Sequence, residues 1–322
     1  MSRCCNVSEA ECLIAHLNER TARTIFIRKH LRPVSFEDPS PVLLEVEPDL
    51  MFTSPGILLN RGNQRLFTKI IMALRPRTER RSTFTNLERT RCCLNDEFNF
   101  SPTNEAIWKS LTSTDIPRTT RNFLWKIMHN TYRVGAFWDH IPHLEHLGLC
   151  TICNVPESIE HIMLECTSPG QNLIWKLTER LWRLRHSTWP TLNWGLLLGC
   201  GLARFRSKQG KLRKGKNRLF TILVSTSMKL IWTLRNERVF DGKIAASNNE
   251  VHNRWLALIN SALKRDQLLT NTYRFGNLSK NTNIVLETWS GALSNEDSLP
   301  DDWTQVKGVL VGIWPAARNG VG

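Results

Sequence analysis

No window of about eighteen apolar residues occurs in the 322-residue chain, so no membrane-spanning helix is expected. The first residues, MSRCCNVSEAECLIAHLNERTAR, carry acids early and no apolar stretch, so no secretory signal is expected either. The βαβ alternation of a parallel α/β protein is also missing. Acids are outnumbered, 29 against 43 Lys and Arg, for a formal charge of +14 and a pI near 9.7. Such an excess is either a solubility device or an attraction for a polyanion, of which nucleic acid is the commonest. Nine cysteines without a signal point to an intracellular, reducing setting, nucleus or cytoplasm. There thiols bind metal or pack in cores more often than they form disulfides.

The remaining pattern reads as mainly α. Residues 1 to 60, with a short possible helix around Cys12 to Ile27, read as an irregular linker and possibly the end of something upstream. Five of the fourteen prolines fall in LRPVSFEDPSPVLLEVEPDLMFTSPG, a density that breaks helix and ladder alike. Helical periodicity then runs from Gln64 to Leu74, through an arginine-rich segment to about Phe98, and again over residues 121 to 132. In the last of these, Thr119 or Thr120 is the expected N-cap and Gly135 the left-handed close. TSPGQNLIWKLTERLWRLR predicts a helix over 170 to 185, with Ser168 as cap, Pro169 at its first position and Gln171 completing a capping box. The organisation expected is a helical zinc-binding domain over 61–200, a basic loop over 201–218, a helical extension over 219–272 and a polar C-terminal tail over 273–322.

One short segment carries chemistry. CTICNVPESIEHIMLEC spaces its ligand types as Cys150-x2-Cys153-x7-His161-x4-Cys166. A C-x2-C pair presents two thiolates to one ion from a tight turn, and His161 and Cys166 reach the same ion if the helix between them loosens. Three thiolates and one imidazole in a tetrahedron suit Zn²⁺. The alternative is a cluster of buried free cysteines, common enough in cores. Four protein ligands leave no position for water, and the glutamate two residues after a ligating histidine that a zinc deaminase needs is Met163 here, so the site reads as structural. It would tie the helix at 121–132 to that at 170–185. His140, His143 and His146 read as exposed, with a substitute ligand among them as the alternative. Cys4, Cys5, Cys12, Cys92, Cys93 and Cys200 read as packing or free thiols.

Phe123-Leu-Trp-Lys-Ile-Met-His, Cys150-x2-Cys153, Glu160-His161-Ile-Met-Leu-Glu-Cys166 and Trp175 together resemble the zinc-binding domain of reverse transcriptases, which closes the polyproteins of LINE-like retrotransposons. Ile107-Trp-Lys-Ser, Leu198-Gly-Cys-Gly-Leu-Ala and Leu230-Ile-Trp-Thr-Leu-Arg-Asn-Glu-Arg-Val resemble a version common in fungal elements, where the segment follows an RNase H domain. The likeness spans roughly residues 60 to 312. It implies Cys150, Cys153, His161 and Cys166 as ligands, and a region that helps bind template nucleic acid without catalysis of its own.

The enzymatic parts of such a polyprotein are missing. The chain's two tyrosines, Tyr132 and Tyr273, precede Arg-Val-Gly and Arg-Phe-Gly rather than the Tyr-x-Asp-Asp of a polymerase, and Asp301-Asp302 follows Leu-Pro. Glu37, Asp38, Glu45, Glu47 and Asp49 lie in the proline-rich stretch with no strand pattern to assemble two magnesium ions. No catalysis is therefore expected.

Nucleic acid, RNA or DNA without strong sequence preference, is expected at RFRSKQGKLRKGKNR, whose Arg204, Arg206, Lys208, Lys211, Arg213, Lys214, Lys216 and Arg218 are diluted by no acid. A second patch, Arg75, Arg77, Arg80, Arg81, Arg89 and Arg91, is diluted by Glu79 and Glu88. Of twelve tryptophans, Trp125, Trp175 and Trp232 read as core, and Trp138 and Trp194, near turns, as candidates to stack on bases. A protein-interaction module, or a remnant open reading frame with no selected role, is the competing reading.

Overall fold

In a computed structural model the described residues are 80–313 except 244, together with Gln64, Arg65 and Thr68. The chain divides into two units, Met1–Thr78 and Glu79–Gly322. In the first, Gln64, Arg65 and Thr68 are helical and exposed, while the expected helix around Cys12 to Ile27 and the proline-rich stretch lie outside the described residues. The second unit holds the other described residues.

Its described residues are mainly helical, with no strand beyond three isolated bridges. The helices are α1 (Arg81–Phe98), α2 (Asn104–Leu111), α3 (Arg118–Met128), α4 (Pro169–Arg183), α5 (Trp194–Leu198), α6 (Lys214–Phe240), α7 (Asn248–Leu269), α8 (Thr272–Phe275) and α9 (Thr282–Trp289). None is long and apolar enough to cross a membrane.

α6 is the pillar. From Arg218 to Met228 every side chain is buried, apolar and hydroxyl alike, a pattern that fits only a helix covered on all sides. α4, α7, α9 and the turn His161–Glu165 supply that cover. The hydroxyls are satisfied within the core: Ser227 Oγ lies 2.7 Å from Thr178 Oγ1 and accepts from Trp255 Nε1 at 3.0 Å. An unpaired hydroxyl there would cost about 1–3 kcal/mol.

A buried ionic cluster fixes the start of α6. The Arg218 guanidinium, 7% exposed, donates to Asp115 Oδ1 at 2.7 Å, Asp266 Oδ1 at 2.6 Å and Thr288 Oγ1 at 2.9 Å. Lys280 joins both carboxylates, and Trp289 Nε1 donates to Asp266 Oδ2 at 2.8 Å. Four chain segments thus meet on one guanidinium.

α1 packs closely on α5, and Gly195 is the reason. A Cβ there would lie 2.3 Å from the Arg89 carbonyl oxygen and 2.6 Å from Cys93 Cβ. Gly195→Ala must push the helices apart and is expected to cost about 1–3 kcal/mol in urea unfolding.

Several local expectations change. α3 starts at Arg118 after Pro117, so Thr119 and Thr120 lie inside it; Gly135 is at positive φ as expected, but Asn130, also at positive φ, comes first after the helix. Ser168 makes no side-chain cap; its hydroxyl faces Arg238, and Gln171 Nε2 donates instead to the Met163 carbonyl at 2.8 Å. The supposed polar tail from Tyr273 includes α9 and places Trp289, Ala292, Trp303, Val311 and Ile313 in the same core as the helices before it. Trp125 is 49% exposed, against its expected core position.

Candidate metal centre and basic surface

The sequence from Leu149 to Pro156 closes on itself. The two ends bridge, the Cys150 N–H donates to the Val155 carbonyl and the Asn154 N–H to the Cys150 carbonyl, both at 2.8 Å. Asn154 at φ 53 takes the left-handed conformation that reverses the chain. Cys150 and Cys153 thereby face one point from the same turn.

His161 and Cys166 are five residues apart, which would set them roughly 140° apart around an α-helix. The segment His161–Glu165 instead forms a single π turn, and the Cys166 N–H donates to the His161 carbonyl at 2.8 Å. The wider turn brings both ligands to one side. This is the loosening the x4 spacing asks for.

The four donor atoms all lie within 4.8 Å of one another. Cys166 Sγ is 3.7 Å from Cys150 Sγ and 3.8 Å from Cys153 Sγ. Thiolates around a tetrahedral ion at 2.3 Å stand about 3.8 Å apart, so the separations suit zinc. His161 is 5% exposed and its Nε2 is buried with no hydrogen-bond partner, a cost a coordinated cation would remove. Its Nδ1 lies 3.7 Å from a Glu165 carboxylate oxygen, which can hold the ring's orientation. The cluster can therefore hold a metal ion.

The environment shifts two of the thiols in opposite directions. The Thr167 hydroxyl, 3.3 Å from Cys153 Sγ, and its N–H at 3.4 Å bring the Cys153 thiol down to about 6. Burial, with the Cys150 charge adding to it, pushes the Cys166 thiol up to about 12.

The segment packs on α6 and α4. Glu157, 4% exposed, pairs with Arg235 of α6, and Arg238 donates to Thr151 Oγ1 at 3.1 Å. Gln171 and Trp175 of α4 both donate to the Met163 carbonyl. The buried Glu157–Arg235 pair carried no motif by which sequence reasoning would find it.

The other candidates stand apart. His140, His143 and His146 are exposed and outside the donor cluster. Cys93 is buried and donates to Asn193 Oδ1, Cys200 is buried, Cys92 is exposed, and Cys4, Cys5 and Cys12 lie outside the described residues. So do Arg75, Arg77 and the acids from Glu37 to Asp49. Of the second arginine patch, Arg89 pairs with Glu160 and Arg91 with Glu88. Trp138 and Trp194, proposed as stacking surfaces, are buried at 8% and 4% exposure, with Nε1 given to the Arg133 carbonyl and to Asn86 Oδ1.

The basic run is a hairpin followed by a helix rather than one loop. Arg206 bridges to Leu212 around Gly210 at φ 80, and α6 begins at Lys214. Arg206, Lys208, Lys211, Arg213 and Lys214 are exposed. Arg204 stacks on Phe100, and Lys216 Nζ sits over the rings of Phe205 at 4.7 Å and Trp182 at 5.2 Å. Arg218 is withdrawn from the set, since its charge is spent on Asp115 and Asp266 inside the protein. In comparisons with known proteins, no family model, curated protein or solved structure matches the chain.

Proposed function

We propose that the chain is a non-catalytic nucleic-acid-binding module whose fold is stapled by one Zn²⁺ on Cys150, Cys153, His161 and Cys166. The single observation that carries the nucleic-acid reading is the crowding of exposed Arg206, Lys208, Lys211, Arg213 and Lys214 on the hairpin and the first turn of α6. Cations placed this way contact phosphates and read little sequence. Zinc follows from a donor set of three thiols and one imidazole, and a shell closed by four protein ligands supports a structural ion rather than one that activates water. When bound, the ion supplies charge and crosslinking; the residues around it orient His161 and shield the thiolates. The likeness to the reverse transcriptase zinc-binding region supports an origin in a retroelement polyprotein and a template-binding role. RNA and DNA are both accepted partners in this reading.

Anisotropy of a labelled single strand at two salt concentrations tests it. Affinity is expected to fall with a logarithmic slope of about −0.7 for each phosphate neutralised, so near −3 for four or five contacts. Lys208→Ala, Lys211→Ala, Arg213→Ala and Lys214→Ala together should flatten that slope while thermal stability holds. Salt-insensitive binding, or none, removes the proposal.

A further inference from the structure

α6, like α1, α3 and α4, begins without a side-chain cap or an acid in its first turn. Its N-cap Arg213 offers no side-chain cap, and its first turn carries Lys214 and Lys216 with no acid. α2 and α7, by contrast, start with a Thr103 or Ser247 cap and an acid in the first turn, Glu105 or Glu250. Cations beside the positive end of a helix dipole are unfavourable unless an anion joins them. Asn217 is the first residue whose N–H returns to a helix carbonyl, that of Arg213, so the amides before it lack an intrahelical acceptor.

This helix end opens on a cleft of 330 Å³ between the basic hairpin and the turn after α4. Arg185, Lys211, Arg213 and Lys216 line it, against one acid, Glu287. Gly215 sets how closely the helix start approaches α9: a Cβ there would lie 2.2 Å from the Glu287 carbonyl oxygen, which also accepts from Arg185. The walls are therefore fixed in place.

A second observation, independent of the helix end, points to a ligand. His186 lines the same cleft at 5% exposure, while Arg185, Lys211 and Arg213 around it are exposed, so it forms the floor. Its ring lies against Trp182, and its Nε2 is buried with no hydrogen-bond partner. Burial, then Lys216, Arg185 and Arg213, hold its pKa down to about 4. A buried imidazole nitrogen ringed by cations and left without a partner is costly for the protein alone. An anion reaching the floor gives Nε2 a partner and favours a proton on it.

We propose that this cleft seats a single phosphate group, with His186 at its floor, the first-turn amides of α6 on one side, and Lys211, Arg213 and Lys216 around it. Donors converge from several directions, which suits a tetrahedral dianion better than a planar carboxylate. An open cleft with a buried floor admits a phosphomonoester that projects from its carrier. A strand-end phosphate and free inorganic phosphate present this same group. The strand-end form rests on the nucleic-acid reading above; the seat itself does not.

The test uses the full chain with its metal bound. Histidine ring resonances are followed while inorganic phosphate is added at constant ionic strength. In parallel, anisotropy compares one single strand bearing a 5′-phosphate with the same strand bearing a 5′-hydroxyl. The expected result is movement of the His186 signals and binding of the phosphorylated strand at least about fivefold tighter, the scale of one added charge-assisted contact. Both effects should vanish in Lys211→Ala/Arg213→Ala, two exposed positions that leave folding intact, and in His186→Gln. Phosphate response without strand binding upholds the seat, assigns it to free phosphate and counts against the nucleic-acid reading. Equal binding of both strand ends with a still His186 overturns the seat, even where binding is salt-sensitive. So does a His186 response to chloride equal to that to phosphate, or a 5′-phosphate preference that survives both variants.

Discussion

Chelation is expected to end cooperative unfolding of this protein, leaving a chain with partial helicity and no sharp thermal transition. A structural zinc site is absent from the unfolded chain, so its binding energy, about 10–16 kcal/mol in small zinc domains, enters as folding energy. Here the loss reaches beyond the loop. His161 Nε2 and the buried thiols of Cys150 and Cys166 would be left without a charge to meet them, under the segment that packs on α4 and α6. Elemental assay of the purified chain should find about one zinc, and circular dichroism should show the transition returning when zinc, but not magnesium, is restored. Cys166→Ser should reproduce the chelated state without chelator. A chain free of zinc that keeps full helicity and a sharp transition in EDTA would end the argument.

The second large effect is expected at Asp266, far from the metal ligands in sequence. Its carboxylate is fully buried and accepts from Arg218, Lys280 and Trp289. Asp266→Asn leaves the Arg218 guanidinium, itself buried, with Asp115 alone, and breaking one side of a buried ion pair costs about 3–5 kcal/mol. Glu179→Gln, which removes the partly exposed pair with Arg183, should cost less than about 1 kcal/mol. Urea unfolding of the two variants side by side checks the contrast. The same cluster sets an acid response. Burial opposes ionisation of Asp115, but Arg218 and Lys280 outweigh it and hold its carboxyl below the ordinary carboxylate range. A folded value below the unfolded one means stability present above about pH 4 and lost as the pH falls through the folded value. Asp115→Asn should therefore unfold with a shallower acid limb than the unaltered chain.

The Cys/His cluster was the most legible part of the sequence, because ligand chemistry and spacing are local. Even the π turn is foreshadowed, since His161 and Cys166 at five-residue separation share a side only if the turn widens. Helix existence was legible for the same reason. What failed was whatever depends on distant partners. Arg218 ends a cationic run and looks like its neighbours, yet Asp115 lies 103 residues away and Asp266 48. Trp138 and Trp194 sit beside turns, but burial is decided by what packs over a turn, and Arg133 and Asn86 supply their acceptors. Ser168 and Gln171 match a capping box by type, but tertiary hydrogen bonds to Arg238 and Met163 win. The segment after Tyr273 spreads its apolar residues too thinly to show a period, and still fills the core through Trp289 and Trp303.

The length of α6 sets how the two ends of the molecule influence each other. Lys214 stands in its first turn and Arg235, paired with Glu157 of the metal loop, near its last. At 1.5 Å per residue that is roughly 30 Å of helix, several times the Debye length of about 8 Å at physiological ionic strength. A charge held at the Cys/His cluster would lie beyond direct electrostatic reach of the hairpin. Any influence of the cluster on the hairpin would then be mechanical, carried along α6.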